Sequence, residues 1–233
     1  MVSYLQLKVI IQPTDLGKWL EDVRNADVPF SFSRWGDGEW RSVLNKGFGA
    51  NCDGHTFFPE MGRQLGQVLA SKPKYRLGMQ NFALRLYGKS IEHYLNQHNL
   101  QNLVWYNSDV FHYGAIHGKL DEIVKTVASR QTLIVGPAHL KSLRNKGIPF
   151  WRHIAIPGKD VFACLKNVHA QINDVLSETN NPVLISLSAS MPAEILLDWL
   201  YRDYGKKHTI IDFGSLWDQL VGVKSRSYMR NKK

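Results

Sequence analysis

From residue 29 onward, short apolar runs rich in β-branched and aromatic residues alternate with longer runs of helical periodicity. The strand-like runs are 30–34, 75–80, 103–107, 131–135, 151–156, 183–187 and 208–213. The helix-like runs between them are 40–44, 60–71, 84–97, 117–129, 139–145, 161–177, 192–204 and 216–221. This alternation predicts an α/β fold, a single largely parallel sheet with helices on both faces. Ahead of residue 29 the pattern gives a short strand and one helix, 15–25, packed outside the sheet.

A chain of 233 residues buries a sizeable core in one such domain. The organisation that follows is an N-terminal extension over 1–28, a main domain over 29–222 and a basic tail over 223–233. No apolar stretch is long enough to span a bilayer, and the first residues lack the basic-then-apolar order of a signal peptide. No membrane association is expected. Cys52 and Cys164 make no Cys-x-x-Cys pair, which points to a reducing, cytoplasmic setting. The net charge is +9, and Lys224, Arg226, Arg230, Lys232 and Lys233 carry five of those charges. Such a balance predisposes the chain to polyanions: nucleic acid, nucleotide diphosphates or anionic lipid. A solvated terminus would have the same composition.

In open parallel sheets ligands bind beyond the carboxyl ends of the strands. The residues just past each strand are therefore the site candidates. The most informative is Arg34-Trp35-Gly36-Asp37-Gly38-Glu39-Trp40, a strand-to-helix turn with two carboxylates, each beside a glycine. Gly36 and Gly38 would permit positive φ and close approach of a ligand. Asp37 and Glu39 offer hard oxygen ligands for Mg²⁺ or Mn²⁺, which in turn can hold nucleotide phosphates. The same two acids would also suit a helix N-terminus with no metal.

Other strand ends offer weaker signals. Gly136 and Pro137 close one apolar strand, and Ser188 and Ser190 follow another. Backbone N–H groups there could hold phosphate or a nucleoside. Asp53 and His55 lie in a polar loop, and Asp109 follows the strand at 103–107. Each is a candidate general base, and each also fits an ordinary turn or helix cap. The chain has no Gly-x-x-x-x-Gly-Lys-Ser/Thr loop, no Gly-x-Gly-x-x-Gly fingerprint, no Gly-x-Ser-x-Gly elbow and no zinc-type Cys/His spacing.

Five segments taken in order resemble the glycosyltransferases of the GT-D fold. They are 33–39, 133–137, 154–157, 183–189 and the strand with Asp212-Phe213-Gly214-Ser215. The resemblance covers roughly residues 29–221. It implies a Rossmann-like transferase domain, a nucleotide-diphosphate sugar donor, and a divalent cation held with the pyrophosphate at Asp37 and Glu39. Arg34 would add a bidentate phosphate contact. Ser215 stands where that family often has His, and Ser188 where it often has Gly. The loop at 51–55 is similar to a phage-type branch.

The resulting expectation is a metal-dependent glycosyltransferase. Arg34, Gly36, Gly38, Gly136, Pro137, Ser188, Ser190 and Asp212 would line the donor site, with Asp53, His55 or Asp109 deprotonating the acceptor. The favoured acceptor is a hydroxymethylated pyrimidine in bacteriophage DNA, such as hydroxymethylcytosine, with Trp and Tyr rings available to stack on an extruded base. The alternatives are a transferase acting on a cell-surface polysaccharide or glycoprotein, and a non-catalytic DNA-binding accessory protein.

Overall fold

The computed structural model of the chain describes residues 9–51 and 54–223. Within them eight strands form one sheet: β1 (Ile11–Gln12), β2 (Ser31–Trp35), β3 (Arg76–Met79), β4 (Trp105–Asn107), β5 (Thr132–Pro137), β6 (Arg152–Ile156), β7 (Leu184–Leu187) and β8 (Thr209–Asp212). Their spatial order is β1-β4-β3-β2-β8-β7-β5-β6, and every neighbouring pair is parallel. The α-helices are α1 (Leu16–Arg24), α2 (Asp37–Val43), α3 (Pro59–Ala70), α4 (Asn81–Gln97), α5 (Val110–Gly114), α6 (Leu120–Ala128), α7 (Leu165–Ser177), α8 (Ala193–Tyr204) and α9 (Leu216–Leu220).

Successive strand residues point to opposite faces, and both faces are apolar. Leu133, Val135, Ile185, Leu187 and Ile210 enter one core with side chains of α3, α4, α7 and α8. Phe32, Ile134, Leu184 and Ile211 enter the other, under α1, α5, α6 and α9. The expected two-sided parallel sheet is thus the observed fold.

Four local differences have identifiable causes. Residues 11–12 do not pack outside the sheet: they pair in parallel with Trp105 and Tyr106 and cover the edge of β4. Helix α2 starts at Asp37, earlier than the apolar run suggests, because Glu39 Oε2 accepts the Gly36 N–H at 2.8 Å. The helix expected over 117–129 starts only at Leu120, since the chain first makes a π turn, Ala115–Lys119, with Gly118 at φ +82°. Short α5 precedes that turn and has no counterpart in the apolar periodicity.

From β2 the chain proceeds outward through β3 and β4, whereas β8, the other neighbour of β2, is reached through β7. The segments leaving β2 and β8 enter opposite layers: α2 packs with α3 and α4, and α9 packs on Ala138–Lys146. Such a divergence opens a crevice at the carboxyl ends of the strands.

Candidate active site

A cleft of about 430 Å³ occupies that crevice. Its floor is Arg34, Gly36, Asp37, Gly38 and Glu39 from the end of β2 and the first turn of α2, with Asp212 from β8. Gln80 and Asp109, which follow β3 and β4, and Ser190, Met191 and Ser215 complete the polar side.

The glycines of the motif serve close approach, not unusual backbone. Gly36 has φ −95° and Gly38 lies within α2, so the expectation of positive φ does not hold. A Cβ on Gly36 would come within 3.0 Å of Glu39 Oε2 and 3.1 Å of Gln80 Oε1. A Cβ on Gly38 would press on Met191 at 3.0 Å. Gln80 Oε1 in turn accepts the Asp37 N–H at 3.2 Å, which fixes the start of the helix against β3.

Arg34 is the organising cation. Its Nε donates to Ser108 O at 3.0 Å and its Nη2 to Asp109 Oδ1 at 3.2 Å. Its backbone N–H donates to Glu194 Oε1 at 3.0 Å. Burial alone would lower its pKa, but Asp212, Asp109, Glu39 and Glu194 together raise it, so the guanidinium stays charged. Gly214 at φ +53° allows this packing, because a Cβ there would overlap Arg34 Nη1.

The carboxylates around Arg34 crowd one another. Burial, then the charges of Asp212 and Asp37, push Glu39 up to about 7, against hydrogen bonds from the Gly36 and Glu39 N–H groups. Glu194 is fully buried, and desolvation followed by Asp212 and Glu39 raises it well above the usual carboxylate range. Among the described residues its Oε2 has no hydrogen-bond partner. This residue was not among the sequence candidates. Its only signal was a single acid in the apolar run Ala193-Glu194-Ile195-Leu196-Leu197.

The cleft gathers Arg34, Gly36, Asp37, Gly38, Glu39, Asp109, Ser190 and Asp212. Ser190 adopts φ +58°, a left-handed conformation costly for a non-glycine residue. Four described candidates, Gly136, Pro137, Ser188 and His55, lie apart from it. Gly136 and Pro137 end β5, and a Cβ on Gly136 would meet Ser188 Cβ at 3.1 Å, so these residues pack against each other instead of lining the cleft. His55 faces the turn at residue 160: its Nδ1 accepts the Asp160 N–H at 3.4 Å. Asp53 lies outside the described residues, as does the basic tail from residue 224.

Among the described residues, no three His, Cys, Asp or Glu side chains form a ready metal cage. Asp37 and Glu39 still fit a hard cation of the Mg²⁺ or Mn²⁺ kind, which takes one or two carboxylates and completes its shell with phosphates and water. Burial first, and then the charges of Asp212 and Asp37, raise the Glu39 carboxyl, and a cation bound there would favour its charged form.

No family model matches the chain, and no curated protein matches it. Two solved structures do. One is described as the highly conserved domain of unknown function 1792, which has a distinct glycosyltransferase fold. It superposes with a TM-score of 0.64 over 97% of this chain and 90% of the other, at 15% identity. The selenomethionine-substituted structure of domain of unknown function 1792 gives a TM-score of 0.63 at the same identity and coverage. The chain therefore has the glycosyltransferase fold of those structures. No helix among the described residues is long and apolar enough to cross a membrane.

Proposed function

We propose that the chain is a metal-dependent glycosyltransferase of the GT-D type, moving a sugar from a nucleotide-diphosphate donor to an acceptor hydroxyl. The observation that carries this reading is that Asp37, Glu39 and Asp212 share one cleft with Arg34 in the crevice of a glycosyltransferase-like fold. Asp37 and Glu39 would hold the cation, which when bound neutralises the pyrophosphate and stabilises the leaving diphosphate.

The chain's own groups account for the rest. Arg34 supplies positive charge at the floor, held in place by Ser108 and Asp109. Its charge favours phosphate over a neutral ligand. Ser190 and Asp212 border the donor, with Gly36 and Gly38 leaving room beside it. Asp109 is the described candidate base that lines the cleft; its Oδ1 is held by Arg34, which leaves Oδ2 to take a proton. Gly136, Pro137 and Ser188 would contribute only as packing behind the site.

The acceptor we favour is a hydroxymethylated pyrimidine in DNA of phage type, on the strength of the +9 charge and the aromatic side chains in the cleft. The deciding experiment incubates the full chain with nucleotide-sugars and Mn²⁺, then scores hydroxymethylated and unmodified DNA by mass. A sugar-sized increment on hydroxymethylated DNA alone is expected. Donor hydrolysis with no DNA product would move the acceptor to a polysaccharide or glycoprotein. No turnover of any nucleotide-sugar would leave a non-catalytic binding protein.

A further inference from the structure

Opposite the charged floor, the cleft has a wall of a different kind. Phe82 from α4, Tyr113 from α5 and Ile116 from the π turn line it, and they are 44%, 45% and 59% exposed. Single exposed apolar side chains are ordinary on protein surfaces, whereas a cluster facing one cleft marks a binding surface. The apolar surface continues along α4 with Leu86, one turn on and 51% exposed.

The rim of this wall is cationic. The Arg85 guanidinium lies 5.7 Å from the Phe82 ring. Lys46 Nζ sits 5.8 Å from the Tyr87 ring and donates to Ser90 Oγ at 2.7 Å on the same helix. Lys89 is exposed beside them. Neither 81–91 nor 110–119 contains a carboxylate. Asp37, Glu39 and Asp212 are on the floor and Asp109 is paired with Arg34, so the field over the wall attracts anions.

We propose that Phe82, Tyr113 and Ile116 are the acceptor wall, and that they seat an unstacked nucleobase of a DNA strand whose phosphates run along Arg85, Lys89 and Lys46. Rings flanked by cations and free of acids are what a single strand requires: stacking for the base and charge for the backbone. A neutral saccharide could use the rings but would gain nothing from the cations. A base on the wall shares one cleft with Asp37 and Arg34, where transfer would occur. The inference rests on the DNA acceptor proposed above and names the surface that takes it.

The test measures binding of fluorescein-labelled oligothymidylate to the full chain without donor, so it does not depend on turnover. Phe82→Ala and Tyr113→Ala should each weaken binding about tenfold or more, with an unchanged melting temperature because both side chains are exposed. The slope of log affinity against log salt should not change, since no phosphate contact is lost. Lys89→Ala should instead make that slope shallower by about 0.7. Wild-type binding to inorganic polyphosphate as tight as to the oligonucleotide would overturn the proposal. So would unaltered affinity in both aromatic variants, or no binding to the oligonucleotide at all. Nucleotide-sugar turnover combined with unaltered wall variants would sink the wall and leave the transferase. Weakened wall variants without any turnover would do the reverse.

Discussion

Arg34 Nη2 lies 3.2 Å from Asp109 Oδ1, so β2 is tied to the segment leaving β4 by an ion pair whose partners are both mostly buried. A carboxylate committed in this way holds the guanidinium before it does anything else. Asp109→Asn should therefore raise the donor KM about tenfold or more through loss of a charge-assisted hydrogen bond, with a smaller change in kcat. Steady-state kinetics in both substrates check this. A hundredfold fall in kcat at constant donor KM would make Asp109 the acceptor base.

The same arginine makes Gly214 sensitive. Gly214→Ala places a Cβ into Arg34 Nη1 and a side chain at φ +53°. Gly222 shares the second problem alone: it has φ +78°, and no atom of the described residues lies within 4 Å of where an alanine methyl would sit. Both alanine variants should lose about 1–3 kcal/mol of stability in urea titrations. Only Gly214→Ala should also lose donor binding. Equal activity in the two variants would show that Arg34 does not need its present position.

Asp37 and Glu39 carry the metal proposal. Asp37→Asn and Glu39→Gln should leave the melting temperature close to wild type or higher and remove nearly all turnover. Glutamine keeps an oxygen for the Gly36 N–H, so the start of α2 survives. Excess chelator should abolish wild-type activity, and added Mn²⁺ should restore it. Full activity in chelator would refute the metal role.

The sheet was legible because buried parallel strands read as continuous apolar runs, such as 133–135 and 184–187. A short strand ahead of residue 29 was read, but not that β1 joins the sheet edge, and five-residue α5 was not read at all, since neither is long enough to show a period. Asp37, Glu39 and Arg34 stood out because their chemistry is local to one turn. Glu194 did not, because its part comes from burial beneath a strand 160 positions away. Phe82, Tyr113 and Ile116 escaped for a related reason: an apolar residue beside a helix reads as core, and only the fold shows which ones stay exposed. The glycines of the motif were noticed for backbone freedom, but their effect is to let Glu39, Gln80 and Met191 approach.

The raised Glu39 carboxyl predicts a pH dependence. Its folded value of about 7 exceeds the ordinary 4.5, so the folded state holds a proton that the unfolded chain releases. Its contribution is fully present below pH 4.5 and is lost as pH rises through 7. The difference amounts to about 3 kcal/mol. In chelator, Glu39→Gln should therefore match wild type near pH 4 and exceed it in stability at pH 8. Denaturant titrations at the two pH values measure this, and a constant offset between them would contradict the crowded-carboxylate picture. Added cation should narrow the gap at pH 8 by binding wild type preferentially.

The basic tail, 224–233, makes a separate electrostatic prediction. Its five cations and the +4 of the remaining chain act on phosphates without regard to sequence. Deleting 224–233 should weaken binding to every DNA sequence alike. It should also make the log–log salt slope shallower, by about 0.9 for each duplex phosphate that the tail neutralises. Donor hydrolysis without acceptor should barely change, because every cleft residue among those described precedes the tail, the last being Ser215. The aromatic wall gives the opposite signature, a loss of affinity at constant slope, so the two contributions separate in one salt titration. Equal binding of duplex DNA by full-length and truncated chains at low salt would make the tail a solvated end. Failure of both to bind would remove the main physical support for a DNA acceptor and turn the search toward a saccharide or peptide.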